Sequence, residues 1–188
     1  DWSSDVCSSD LLVEEDLSDP AAAGRVAAAV ADLEIAVLVN NAGAGYSGRF
    51  SGQETGRLRE LVELNCVAPV VLTSLLLPKM RARGRGAVIV TGSVAGRQPL
   101  PLHAVYSASK AFDLLFGEAL AVECADEGID VLVVEPGRTR TEFQAVAGEA
   151  PLPDASFQPA AEVVEVALDS LGSKPSVVSG WLNWLRAN

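Results

Sequence analysis

The sequence predicts an open, doubly wound α/β sheet with parallel strands and helices on both faces. Three observations predict it. Short apolar runs alternate along the chain with longer stretches of helical pattern. The runs at 35–39, 87–90 and 129–134 are dominated by Val and Ile, the mark of strands covered on both faces. The segments between them are long enough for helical crossovers, which bring successive strands back in parallel.

The elements follow in order. Leu11-Leu12-Val13 is a short strand candidate, closed by the polar stretch from Glu15 to Pro20. Pro20 lacks the N–H that a first helical turn leaves unused, so a helix capped by Ser18 or Asp19 begins there and runs to Leu33. Ile35-Ala36-Val37-Leu38-Val39 is a buried strand, ended by Asn40-Asn41-Ala42-Gly43, a turn by composition. Residues 54–83 read as one long helix that Pro69 and Pro78 kink or divide. A strand covers 87–90, and a loop rich in Gly and Pro follows. A helix then spans 104–127, a strand 129–134 and a helix 160–171, with Ser176-Val177-Val178 as a weaker last strand. No internal repeat or linker divides the chain.

Composition narrows the function. The 188 residues, 49% of them hydrophobic, suffice for one domain with a sizeable core and exclude a wholly disordered chain. Lys+Arg 14 against Asp+Glu 25 gives a formal net charge of −11, which argues against nucleic acid or an anionic membrane surface as the main partner. No apolar run approaches the roughly 18 residues of a membrane span. Cys7, Cys66 and Cys124 lack the paired spacing of a metal site or disulfide framework, which suits a reducing, cytoplasmic setting. The first ten residues, DWSSDVCSSD, have neither a structural period nor the regions of a signal peptide. They are expected to be a non-native prefix, and the chain stays acidic without their three Asp.

In such a sheet ligands bind at the carboxyl ends of the strands. The residues there are Asn40-Asn41-Ala42-Gly43, Thr91-Gly92-Ser93 and Pro136-Gly137-Arg138-Thr139-Arg140-Thr141. The helix from 104 opens near Tyr106-Ser107-Ala108-Ser109-Lys110, which sets Tyr106 and Lys110 one turn apart on one face. A phenol ordinarily titrates near 10, and a neighbouring ammonium favours its phenolate. Tyr106 is thereby a credible proton donor to a carbonyl or acceptor from an alcohol. Ser93, at a strand end, can orient the same oxygen. The Tyr–Lys pair alone is weak evidence; the ordered set is stronger. His103 reads as a turn or substrate-loop residue, and Cys66 and Cys124 as small helix-packing residues.

Taken together, Asn40-Asn41-Ala42-Gly43, Ser93, Tyr106-x-x-x-Lys110 and Pro136-Gly137-x-x-x-Thr141 stand in a fixed order. The chain resembles the short-chain dehydrogenase/reductase family, NAD(P)-dependent oxidoreductases on a Rossmann-type sheet, over about residues 11–180. The resemblance implies that Tyr106 is the catalytic acid/base, that Lys110 lowers its pKa and holds the nicotinamide ribose, and that Ser93 positions the substrate carbonyl. It implies that Asn65 supports a water in the proton relay and that Asn40, Ala42 and Gly43 flank the adenosine ribose. Asp16 and Leu17 match the dipeptide that contacts adenine. Thr139 and Thr141, after Pro136 and Gly137, sit where the family holds the carboxamide, Thr139 replacing the usual Ile or Val. The cofactor is NAD or NADP, and the substrate a small or medium carbonyl or alcohol compound under a partly apolar lid at 142–158. The family commonly forms homodimers or homotetramers through helices corresponding to 54–83 and 104–127.

The family opens with a strand, a Thr-Gly-x-x-x-Gly-x-Gly turn, a helix and a second strand, and none of these precedes Leu11. Residues 11–188 are therefore expected to be a partial dinucleotide-binding and catalytic domain, impaired in cofactor binding. The residue that selects between NAD and NADP is absent with the second strand. In the strand order 3-2-1-4-5-6, the strand at 35–39 is then an exposed edge. The alternative of another class is a non-catalytic nucleotide-binding or regulatory relative, which would typically lose the Tyr or Lys. A sugar-nucleotide epimerase is disfavoured by Asn-Asn-Ala-Gly and the short C-terminal region.

Overall fold

The computed structural model describes residues 10–148, 157–180 and 183. Four parallel strands pair in chain order: β1 (Val37–Asn40), β2 (Gly86–Thr91), β3 (Ile129–Glu135) and β4 (Ser176–Val178). The register sets Val37 beside Ala87, Gly86 beside Ile129 and Val133 beside Ser176. The helices are α1 (Ala22–Ala29), α2 (Thr55–Val62), α3 (Ala68–Arg83), α4 (Ala104–Cys124), α5 (Phe143–Val146) and α6 (Ala160–Ser170).

Because successive strand residues point to opposite faces, the sheet makes two cores. Val88, Val90, Ile129, Val131 and Val133 meet Met80 of α3 and Cys124 of α4 on one face. Ile89, Leu132 and Val134 meet Val163 and Ala167 of α6 on the other. This is the doubly wound α/β fold that the alternating pattern predicts. Close helix–sheet contact requires Gly117 in α4, where a Cβ would run into the Val133 side chain.

Several expectations need correction. Leu11-Leu12-Val13 forms no strand; Leu12 is 89% exposed, and no described strand runs beside it to take its backbone hydrogen bonds. The first helix starts at Ala22, not Pro20, with Asp19 accepting from the Ala21 amide at 3.0 Å. It stops at Ala29 because the bonds tighten, Ala31 N–H reaching Ala28 and Leu33 N–H reaching Val30. β1 is covered on one face only. Val37 and Val39 are 48% and 53% exposed, since α6 packs over β2 and β3 and no described element covers them. Among the described residues β1 pairs with β2 alone and is a sheet edge, as expected. Residues 41–47 run as irregular chain instead of a turn.

The long helix is divided, though not at a proline itself. Residues Glu63–Val67 form a π-helix between α2 and α3, and the Ala68 N–H reaches back five residues to the Glu63 carbonyl. Pro69 follows in the first turn of α3 and has no N–H to give the carbonyl of Asn65. Thr55–Arg83 as a whole is long and apolar enough to cross a membrane by length and composition, so the absence of such a segment does not hold. Of its most apolar stretch, 44% is buried inside the protein.

Candidate active site

α4 carries the central groups, and its 3.6-residue period stacks them on one side. Lys110, 5% exposed, lies one turn after Tyr106. Its ammonium donates to the Thr91 carbonyl at the end of β2 (2.7 Å) and to Asp113 Oδ2 (2.9 Å). Gly43 borders the same ammonium: a Cβ there would stand 3.5 Å from Lys110 Nζ and 3.4 Å from Asn65 Oδ1. Gly96 of the short helix Val94–Arg97 lets that helix lie directly on the α4 backbone, where a Cβ would come within 2.6 Å of the Lys110 carbonyl.

Asn65, in the π-helix, is buried and clamps the loop after β1. Its Oδ1 accepts from the Ala44 amide, and its Nδ2 donates to the Ala44 carbonyl and to Ser109 Oγ, each at 2.9 Å. The wider π turn thus ties β1's loop to α4 through one side chain.

Ser93 and Tyr106 line a single cavity of about 380 Å³ together with His103, Gly137, Phe143 and Gln144. Ser93 caps the Val94–Arg97 helix, its Oγ accepting from the Ala95 amide at 3.1 Å. The Tyr106 ring lies 5.4 Å from that of Phe143 and 6.5 Å from that of His103. A Cβ on Gly45 would meet Phe143 at 2.7 Å and Tyr106 at 3.1 Å. His103, expected in a turn or substrate loop, lines this cavity just before α4. Phe143 and Gln144 supply the cavity side of the expected lid, and residues 149–156 of it lie outside the described residues.

The other expected residues divide. Gly137 joins the cavity, and the Pro136 carbonyl accepts from the Val94 amide at 3.2 Å. Thr139 and Thr141 bond locally, to the Gly137 carbonyl (3.3 Å) and from the Phe143 amide (3.2 Å). Asn40 donates to Thr73 Oγ1 of α3 (3.1 Å), away from this cluster. Ala42 is exposed beside Gly43. Asp16 and Leu17 do not join the cluster. Asp16 accepts from Ser18, which holds its carboxyl below the usual range, and Leu17 borders a crevice with Val67 and Val71.

Three charged residues outside the motifs belong to the site's surroundings. Asp113 is 1% exposed, and Glu135, at the end of β3, is fully buried in a bidentate pair with Arg97 at 2.6 and 2.8 Å. The pattern carried a signal for the two carboxylates: Asp113 interrupts the apolar run Ala111 to Phe116 three residues after Lys110, and Glu135 ends an apolar strand. Burial pushes the Asp113 carboxyl above its usual range, against the opposing pull of Lys110. Burial also pushes the Cys66 thiol up to about 11, with Asp113 adding to the rise and Lys110 opposing it.

Comparison with known proteins bears on the family and the fold. A model of the short chain dehydrogenase family matches residues 7–151. The mouse (Mus musculus) dehydrogenase/reductase SDR family member 7B is 34% identical over 176 residues, covering 87% of this chain and 54% of that protein. Ketoacyl reductase HetN of Nostoc sp. is 37% identical over 103 residues, covering 55% of this chain and 36% of its own length. A solved structure from work on 7β-hydroxysteroid dehydrogenase stereoselectivity superposes with a TM-score of 0.83 at 29% identity, covering 93% of this chain and 68% of that one. A short-chain dehydrogenase from Sphingobium yanoikuyae in complex with NADPH gives 0.78 at 33% identity, with 87% and 64% covered. The chain spans about half the length of the curated relatives it matches, 54% and 53% for the mouse and rat proteins.

Proposed function

The chain belongs to the short-chain dehydrogenase family, and from that premise we propose that it carries the catalytic groups of an NAD(P)-dependent oxidoreductase interconverting a carbonyl and an alcohol. The observation that carries the reading is the shared cavity of Ser93 and Tyr106, with Lys110 one helical turn along α4 from Tyr106. The residues fit a nicotinamide dinucleotide. Lys110 spends two of its three N–H bonds on Thr91 and Asp113, which leaves the third for a ribose hydroxyl. Gly43 keeps the approach to that ammonium bare. Asn40, Ala42, Gly43, Pro136, Gly137, Thr139 and Thr141 would border the dinucleotide, and Asp16 and Leu17 its adenine. When bound, the cofactor supplies the hydride that reduces a carbonyl carbon, or accepts it from an alcohol.

The chain's own groups manage the proton. Tyr106 gives its phenolic proton to the carbonyl oxygen as negative charge gathers there, and takes it back in the alcohol direction. Ser93 donates a hydrogen bond to the same oxygen. The Lys110 ammonium favours the phenolate left behind. The Asn65 carbonyl, denied a donor by Pro69, can hold a water that returns the proton.

Relatives named as ketoacyl reductases and a neighbour from hydroxysteroid dehydrogenase work support a ketone or secondary alcohol as the substrate class. The partly apolar cavity wall, with Phe143 against Tyr106, supports a small or medium apolar compound. The same reading takes the enzyme to act in the cytoplasm as a homodimer or homotetramer, through the outward apolar residues of α3 and α4. The test is turnover of a ketone panel by the full chain with NADPH or NADH raised to saturation, as the expected impairment of cofactor binding requires, beside Tyr106→Phe. Loss of about 10²–10⁴-fold in kcat/KM is expected for the variant. Unchanged turnover would contradict the assignment.

A further inference from the structure

Asp113, like Glu135, is a buried charged group that this mechanism does not use, but Glu135 is fully paired with Arg97. Asp113 lies nearly one turn after Lys110 on α4, and its Oδ2 holds the ammonium at 2.9 Å. Its Oδ1 is buried and has no hydrogen-bond partner. A carboxylate with one oxygen unsatisfied is costly there, in a helix segment whose neighbours Ala111, Phe112, Leu114 and Leu115 are apolar. The fold itself asks only for an apolar side chain at that position. What the carboxylate adds is a fixed counter-charge 2.9 Å from the ammonium that Gly43 also borders.

We propose that Asp113 is a positioning residue that anchors the Lys110 ammonium, aiming its remaining N–H past Gly43 toward the cofactor, and that protonating Asp113 releases this anchor. The proposal rests on the reading above in which Lys110 serves Tyr106 and the cofactor. Lys110 is the charge that acts on Asp113. Cys66, from the π-helix, is the titratable group of that element that acts with them, and its raised pKa keeps it neutral through the physiological range. β2 contributes only the Thr91 carbonyl, and Arg97 and Glu135 close on each other. The release therefore occurs at a pH above the ordinary carboxylate range, because burial raises the Asp113 carboxyl.

The chain has three lysines, Lys79, Lys110 and Lys174, so the ¹³Cε resonance of Lys110 can be followed in the full chain without cofactor or turnover. Lys110 is expected to show an inflection on acidification that Lys79 and Lys174 lack. Asp113→Asn should abolish it and Asp113→Glu restore it. In turnover, Asp113→Asn should lose roughly tenfold in kcat/KM at neutral pH and lose the acid limb of the pH profile. A flat Lys110 signal in the native chain, an inflection that persists in Asp113→Asn, or a variant profile that is merely the native one scaled down would each overturn the proposal. If Asp113→Asn fails to fold, the native titration and Asp113→Glu decide it. A clear inflection in a chain without any turnover would contradict the oxidoreductase reading and leave the pairing standing.

Discussion

Asn65 shows how much one side chain can be asked to do. It satisfies the amide and the carbonyl of Ala44 and the hydroxyl of Ser109, all through a turn opened by five-residue helical spacing. Asn65→Ala leaves those groups unpaired in a buried setting, so urea denaturation should show a loss of about 2–4 kcal/mol. A loss below about 0.5 kcal/mol would mean that water replaces the amide freely. Cys66, its neighbour, titrates at about 11, so its thiolate grows tenfold with each pH unit up to that value. Alkylation of Cys66 at pH 8, read by peptide mass spectrometry, should be far slower than for a free thiol. Labelling as fast as a free thiol's would contradict its burial beside Asp113.

At the scale of elements, the site depends on how closely α4 approaches the sheet. Gly117→Ala places a methyl group against Val133 and should lower stability by about 1–3 kcal/mol, seen as a lower urea midpoint with unchanged slope. An unchanged midpoint would show that Val133 can turn aside. The strands at 87–90 and 129–134 were legible because runs rich in Val and Ile, interrupted only by Ala87, Asp130 and Leu132, suit a sheet covered on both faces. Leu11-Leu12-Val13 misled because the same composition without a partner strand has nowhere to place its backbone hydrogen bonds. The prolines announced a disturbed helix, but the π turn at Asn65 follows from tertiary hydrogen bonds that no helical period encodes. The meeting of Ser93 and Tyr106 in one cavity, with Lys110 a turn further along α4, was legible from order and spacing. Asp113 was not absorbed, since a lone carboxylate in an apolar helix acquires meaning only when its 2.9 Å contact is seen.

For the whole molecule, the outward faces matter as much as the cores. Phe112, Leu115 and Val122 lie on one side of α4 and are 41%, 68% and 76% exposed; Leu75 of α3 is 46% exposed. Apolar residues grouped in this way favour association. Light scattering should give a mass at or above twice that of the chain at micromolar concentration, and Leu115→Glu should lower it. A monomer at all concentrations would contradict the oligomeric part of the reading. The central claim is hydride transfer governed by Tyr106, and isotope transfer tests it most directly. The full chain is mixed with a ketone and NADPH carrying deuterium at the transferred position, and the alcohol is analysed by mass spectrometry. One deuterium on the carbinol carbon, in a product that Tyr106→Phe forms about 10²–10⁴-fold more slowly, is the result expected. Unlabelled product, or labelled product formed as fast by Tyr106→Phe, would contradict the account.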